Sequence, residues 1–116
     1  MKKKEIGDKG ETIAVNFLEK TGFNIIERNW RHKHLEIDII ATQNRKLHFI
    51  EVKTRTNTLF GLPEQSVGKV KMEHLKKAAV AYLRNNPEWL LIQFDVIAIM
   101  ITKEGNEVFL IEDVFF

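Results

Sequence analysis

Apolar residues recur along this chain with two different periods, and the switches between them mark out its elements. Gly10, Ile13, Ala14, Phe17 and Leu18 follow the stripe of an amphipathic helix. Asp8 reads as the N-cap of that helix and Gly22 as its C-terminal stop. Residues 23–30 and 35–42 then read as strands, joined by a short hairpin around Arg31 to His34. In the second strand Leu35, Ile37, Ile39 and Ala41 share one face, and Glu36, Asp38 and Ile40 share the other. Residues 47–55 form a third strand bounded by a polar run. Leu47, Phe49, Glu51, Lys53 and Arg55 point one way there, and His48, Ile50, Val52 and Thr54 the other. Residues 56–63 carry turn signals, and Gly68 reads as the cap of a second helix from about Lys69 to Asn85, stopped by Asn86-Pro87. Met72, Leu75, Ala79, Tyr82 and Leu83 form the apolar stripe of that helix. Lys69, Lys71, Lys76 and Lys77 give it a basic outer surface, which for Lys76 and Lys77 reads as solvation. A long strand over 90–102, interrupted by Asp95, and a last one over 107–111 complete the chain, with Gly105 and Asn106 in the turn between them.

The order α-β-β-β-α-β-β predicts an α/β architecture, a central mixed sheet flanked by helices. A chain of 116 residues suits one domain, able to bury roughly two thirds of its unfolded surface. The longest apolar run, 96–101, is far too short to span a bilayer, and no signal peptide is visible. With no cysteine, thiol chemistry and disulfides are excluded and a cytoplasmic setting is expected. A net charge of +2 does not by itself point to nucleic acid, so any such partner must be met by local basic clusters.

The third strand carries a conflict. Within two residues one of its faces passes from Phe49 to a carboxylate and an ammonium, while Ile50 and Val52 indicate that the other face is covered. Charges beside a core cost several kcal/mol unless they are paired or bind a metal. Asp38 stands between isoleucines in a strand, where Asp is disfavoured. Should the register set Asp38 opposite Glu51, two carboxylates converge, and they cannot both ionise cheaply unless a cation joins them. Mg²⁺ or Mn²⁺ meets that need, because it takes oxygen ligands and leaves positions open for a phosphate. Lys53 could then orient the attacking water or steady charge on the phosphorus centre. The plainer reading is a Glu-Lys pair on one strand face with Asp38 in a hairpin salt bridge. By spacing alone, Glu11 is a first-turn carboxylate on a solvated helix face.

Four segments together resemble a known family: Gly7-Asp8-Lys9-Gly10-Glu11-x-x-Ala14, Arg28-Asn29-Trp30-Arg31, Glu36-Ile37-Asp38-Ile39-Ile40 and Phe49-Ile50-Glu51-Val52-Lys53-Thr54-Arg55. They resemble the YraN family of predicted bacterial endonucleases, from Gly7 to about Ile99. That family is similar to Holliday junction resolvases and to the PD-(D/E)XK nuclease superfamily, whose core is an αβββαβ, restriction-endonuclease-like arrangement. The resemblance implies that Asp38, Glu51 and Glu11 are metal-binding carboxylates, that the Val52 carbonyl is a further ligand, and that Lys53 is the catalytic lysine. It moves Glu11 from solvated face to site. Glu36 and Gln65 are carried over as supporting residues and Lys71 as a basic contact. Leu35 departs from the family, which usually has Gly there, and leaves the tightness of the hairpin open.

These readings converge on an expected Mg²⁺-dependent hydrolase of DNA phosphodiesters, acting on branched or repair intermediates. Arg28, Arg31, Lys33, Arg55 and Lys71 are the expected phosphate contacts. Trp30 could stack on an unpaired base, although an aromatic residue ending a strand is more often core. The rival readings are a non-cutting nucleic-acid-binding or repair-complex module on the same fold, and an assembly subunit. In the second case Phe115-Phe116 and residues 108–111 would offer a dimer surface; relatives of the resolvase kind imply a homodimer. His32, His34, His48 and His74 match no metal-ligand spacing and read as surface residues, with His32 and His34 near phosphate. Asp95 reads as a pairing or register residue.

Overall fold

A computed structural model describes residues 3–56 and 69–114, without the side chains of 69–71. Its elements are α1 (Lys3–Lys20), β1 (Asn24–His32), β2 (Leu35–Gln43), β3 (Lys46–Arg55), α2 (Lys69–Asn85), β4 (Ile92–Thr102) and β5 (Gly105–Ile111). The strands form one sheet in the order β1-β2-β3-β4-β5. Neighbours are antiparallel except β3 and β4, which are parallel because α2 lies in the crossover between them. This is an α/β fold with a mixed sheet, consistent with a restriction-endonuclease-like core. Gln65, the segment 57–63, Gly68 and Phe115-Phe116 lie outside the described residues. Among the described residues no helix is long and apolar enough to cross a membrane.

Each helix covers one face of the sheet. Ala14, Val15 and Leu18 of α1 pack with Phe23, Ile39, Ala41, Ile50, Ile97 and Ile99. Leu75, Ala78, Ala79 and Tyr82 of α2 pack with Ile37, Ile40, Leu47 and Phe49. Ile50 and Phe49, successive residues of β3, are both fully buried on opposite faces, so β3 is the central strand that its apolar pattern predicts. Burying a side chain of that size contributes about 1.5–3 kcal/mol, and both faces of β3 collect it.

α1 begins at Lys3, not at Asp8. Asp8 is not the cap; it sits inside the helix, 3.5 Å from the Lys4 ammonium one turn back, and such spacing supports a polar first turn that apolar periodicity does not see. The predicted stop holds. Gly22 adopts φ 97°, its N–H reaches the Glu19 carbonyl at 3.2 Å, and the Phe23 N–H reaches that of Leu18 at 2.9 Å. This is the paired bonding of a Schellman cap, and it drops Phe23 into the core beside Leu18. α2 keeps its predicted limits. β4 starts two residues later than expected, because Leu90 and Leu91 are exposed ahead of it. The β4–β5 ladder reaches Thr102↔Gly105, so Gly105 (φ 140°) closes the turn from within β5.

Strict alternation fails in β2. Ile37 and Leu35 pack with the α2 cluster, not with Ile39 and Ala41. The cause lies on β1, where Asn29 takes a left-handed conformation (φ 52°). One residue turned that way inside a strand bends the hairpin, and Trp30 and its partner Ile37 are swung toward α2. Trp30 rests edge-on against Tyr82, with ring centres 5.4 Å apart, as a core aromatic does. The hairpin tip is a two-residue turn, Lys33-His34, with Lys33 at φ 58°, so Leu35 is accommodated there.

His48 is not a surface residue. It is buried, with Nδ1 2.6 Å from Oδ2 of Asp95, itself fully buried. Oδ1 of Asp95 accepts from Gln93 Nε2 at 2.8 Å and from the Asp113 N–H at 3.0 Å. Asp95 is thus a pairing residue, and its partner stands 47 positions away in sequence.

Candidate active site

The site begins where a ladder ends. Ile40 pairs with Phe49 and Ile39 with Ile50, so the next step of the β2–β3 register sets Asp38 across from Glu51. The same count on the β1 side sets Asn29 across from Asp38, between Arg28↔Ile39 and Trp30↔Ile37. The left-handed turn of Asn29 opens the sheet at this level. Freed from the ladder, the Val52 N–H donates to Oδ2 of Asp38 at 2.9 Å. Asp38 is half-buried and Glu51 is buried.

The electrostatics follow from this crowding. Burial pushes the Asp38 carboxyl up to about 7; the Glu51 charge adds to the rise, the Val52 N–H opposes it, and Glu11 and Glu36 raise it further. Glu11 is also raised, first by burial, with an Asn29 side-chain hydrogen bond and the Arg28 charge pulling it down and Glu36 and Asp8 pushing it up. Oε1 of Glu11 is buried without a hydrogen-bond partner among the described residues. Glu11 comes this close because α1 lies almost against β3. A Cβ built on Gly10 would collide with the side chain of Thr54, so only glycine permits the approach.

A cavity of about 190 Å³ opens over the carboxylates, lined by His34, Glu36, Asp38, Glu51, His74 and Leu75. Glu11 does not line it, although it lies within electrostatic reach of Asp38. Lys53, Val52 and Arg55 line a neighbouring cavity of about 280 Å³ against Lys3, Ile6 and Gly7 of α1. Glu36 is 3.7 Å from Arg31 Nη2. Arg28 acts electrostatically on Glu11. Lys33 faces α2 across a separate groove. The Lys71 side chain, like Gln65, is outside the described residues.

Sequence reasoning gave Asn29 no role; His74, read as a surface residue, is exposed and also lines the cavity. The signal for Asn29 was an Asn inside a strand, a residue type that tolerates the left-handed region.

Among the described residues no three His, Asp or Glu side chains already converge as a ready metal shell. The donors do fit a hard divalent cation held by two carboxylates, with carbonyl and water oxygens completing its coordination. Two facing acids, one with its ionisation suppressed, and a third carboxylate with an unpartnered oxygen are the configuration that a cation relieves.

Fold and site together define an α/β protein with an acidic cavity where β2 and β3 separate. A family model described as "Uncharacterised protein family UPF0102" matches residues 10–99, and the chain belongs to that family. A UPF0102 protein of Dictyoglomus thermophilum is 43% identical over 107 residues, covering 91% of each chain. One of Geotalea daltonii is 48% identical over 98 residues (84% of this chain, 77% of the relative). One of Caldicellulosiruptor bescii is 42% identical over 120 aligned positions, covering 99% of this chain and all of the relative.

Proposed function

We propose that this chain is a Mg²⁺- or Mn²⁺-dependent endonuclease that hydrolyses DNA phosphodiester bonds. The observation that carries the reading is the Asp38–Glu51 pair, brought face to face in a cavity with Asp38 raised to about 7. The nuclease-family resemblance of the Glu11, Asp38, Glu51 and Lys53 segments adds to it. Asp38, Glu51 and the Val52 carbonyl would hold the cation, which, when bound, supplies Lewis-acid polarisation of phosphate and water. Asp38 must shed its proton on loading, and the Val52 N–H then fixes the carboxylate rotamer. Lys53 would meet a phosphate from β3; Val52, which lines the same cavity as Lys53, bonds Asp38 through its N–H. Glu11, with one oxygen unpartnered, can take a proton or a water at Oε1.

Branched, single-stranded and duplex DNA incubated with Mg²⁺ or Mn²⁺ test this. Cleavage should vanish in Asp38→Asn and fall steeply in Lys53→Ala, and cleavage that survives both variants refutes the assignment. The rival, a module that binds nucleic acid without cutting, draws on Lys53 lining a cavity apart from Asp38. Calorimetry separates them: tight DNA binding with no Mg²⁺ binding favours the module.

A further inference from the structure

Beside the acidic cavity runs a shallow groove of about 310 Å³ between the β1–β2 turn and α2. Its rim is basic: His32 and Lys33 on the turn, Lys77 and Arg84 on the helix. Its floor is apolar: Leu35, Val80 and Ala81. None of these residues is acidic. On both walls the groove is lined by sequence neighbours of residues that line the acidic cavity. On the turn, His34 lines the cavity and Lys33 the groove; on α2, His74 lines the cavity and Lys77, Ala81 and Arg84 follow at spacings of three, four and three, one stripe of the helix. From His74 to Arg84 the stripe is about 15 Å long at 1.5 Å per residue.

We propose that this groove seats an unpaired nucleic-acid strand and leads it to the carboxylates. The basic rim selects a polyanion. The floor selects among polyanions: Val80 is 53% exposed, apolar surface that a duplex, which shows its outer face as phosphate and sugar, would leave uncovered. An unpaired strand turns base faces toward such a floor while its phosphates follow the cations. His32 contributes a flat ring, stacked on Trp30 with centres 6.2 Å apart and planes 11° from parallel, so Trp30 braces the wall and does not meet the base itself. Lys77 is thereby a strand contact and not only a solvated charge. The inference rests on the proposed hydrolase for what happens at the cavity, but not for the binding itself.

Fluorescence anisotropy on the full chain in chelator-treated buffer tests it, with a blunt duplex, the same duplex carrying a single-stranded tail, and the tail alone. The wild type should bind tailed and single-stranded probes roughly tenfold or more above the blunt duplex, the order of one base contact. Lys77→Glu with Arg84→Glu should erase that preference and flatten the salt dependence by about 0.7 per lost phosphate contact. Val80→Asp should erase the preference by spoiling the floor, and Lys103→Glu, on the distant β4–β5 turn, should leave it intact. Equal affinity for blunt and tailed probes overturns the proposal. So does polyglutamate displacing the tail as well as DNA does, which would mark the groove as a seat for an acidic protein. The two readings fail separately: loss of cleavage with tail preference intact removes the hydrolase and leaves the groove. Asp38-dependent cleavage without tail preference does the reverse.

Discussion

The Val52 amide reaches Oδ2 of Asp38 at 2.9 Å, although residue 52 belongs one step past the residue that faces Asp38 across the strands. A β3 backbone group that would otherwise serve the sheet instead holds a carboxylate whose proton affinity is already high. This gives a pH signature with a definite sign. The Asp38 carboxyl rises from 3.8 unfolded to about 7 folded. Below the unfolded value both states are protonated, and nothing is lost. As pH climbs from about 4 to 7 the unfolded chain releases a proton that the folded chain retains, and stability falls, levelling off above 7. Thermal melts in metal-free buffer should show that decline, on the order of a few kcal/mol. Asp38→Asn, which keeps an acceptor for the Val52 N–H, should flatten it and melt higher at pH 8.

Metal response follows with the opposite slope. At pH 8 the facing acids repel, so adding Mg²⁺ or Mn²⁺ should raise the melting temperature, by about 2.7 kcal/mol of stability at a hundredfold excess over Kd, and chelator should reverse it. Glu51→Gln should be more stable than the wild type without metal and indifferent to it. Equal cation response in both proteins would place the ion elsewhere.

Gly10→Ala makes a steric test of α1 docking. The new Cβ drives into Thr54, and overpacking of this kind costs about 1–3 kcal/mol. Chemical denaturation should find that loss, with part of it recovered in Gly10→Ala/Thr54→Ala. Glu11 is the next residue, so the single variant should lose activity beyond its loss of fold.

Asn29 offers a backbone test. Asn29→Gly keeps the φ 52° bend, whereas Asn29→Val strains it by about 1–3 kcal/mol. The glycine variant also removes the hydrogen bond that lowers Glu11, so the Glu11 proton should be held to still higher pH, readable by carboxyl NMR titration.

On β4, Asp95→Ala strips His48, Gln93 and the Asp113 N–H of their shared acceptor. A loss of about 3–5 kcal/mol is expected for breaking a buried pair. Hydrogen exchange should quicken at Asp113 and at Val114, whose N–H bonds the Phe94 carbonyl at 2.9 Å.

How much of this was legible beforehand divides by range. α2 was readable to the residue because Pro87 and a regular stripe bound it, and β3 announced itself by apolar residues on both faces. The facing of Asp38 and Glu51 needed only the register that those apolar residues impose. What escaped depends on single backbone angles or distant partners. An Asn within a strand hints at a left-handed residue but not that Asn29 sends Ile37 toward α2, and nothing near His48 names Asp95. The start of α1 was hidden because its first turns are polar. Lys53 shared a face with Glu51 by alternation, yet the cavity it lines opens beside α1.

The bend in β1 also bears on assembly. An outermost strand is an invitation to another chain, and a straight one is readily accepted. β1 carries a register shift between Ile25 and Glu27 and a reversed residue at Asn29, which blunt its outer rim against a partner. If two copies join by extending the sheet, β5 offers the more regular edge.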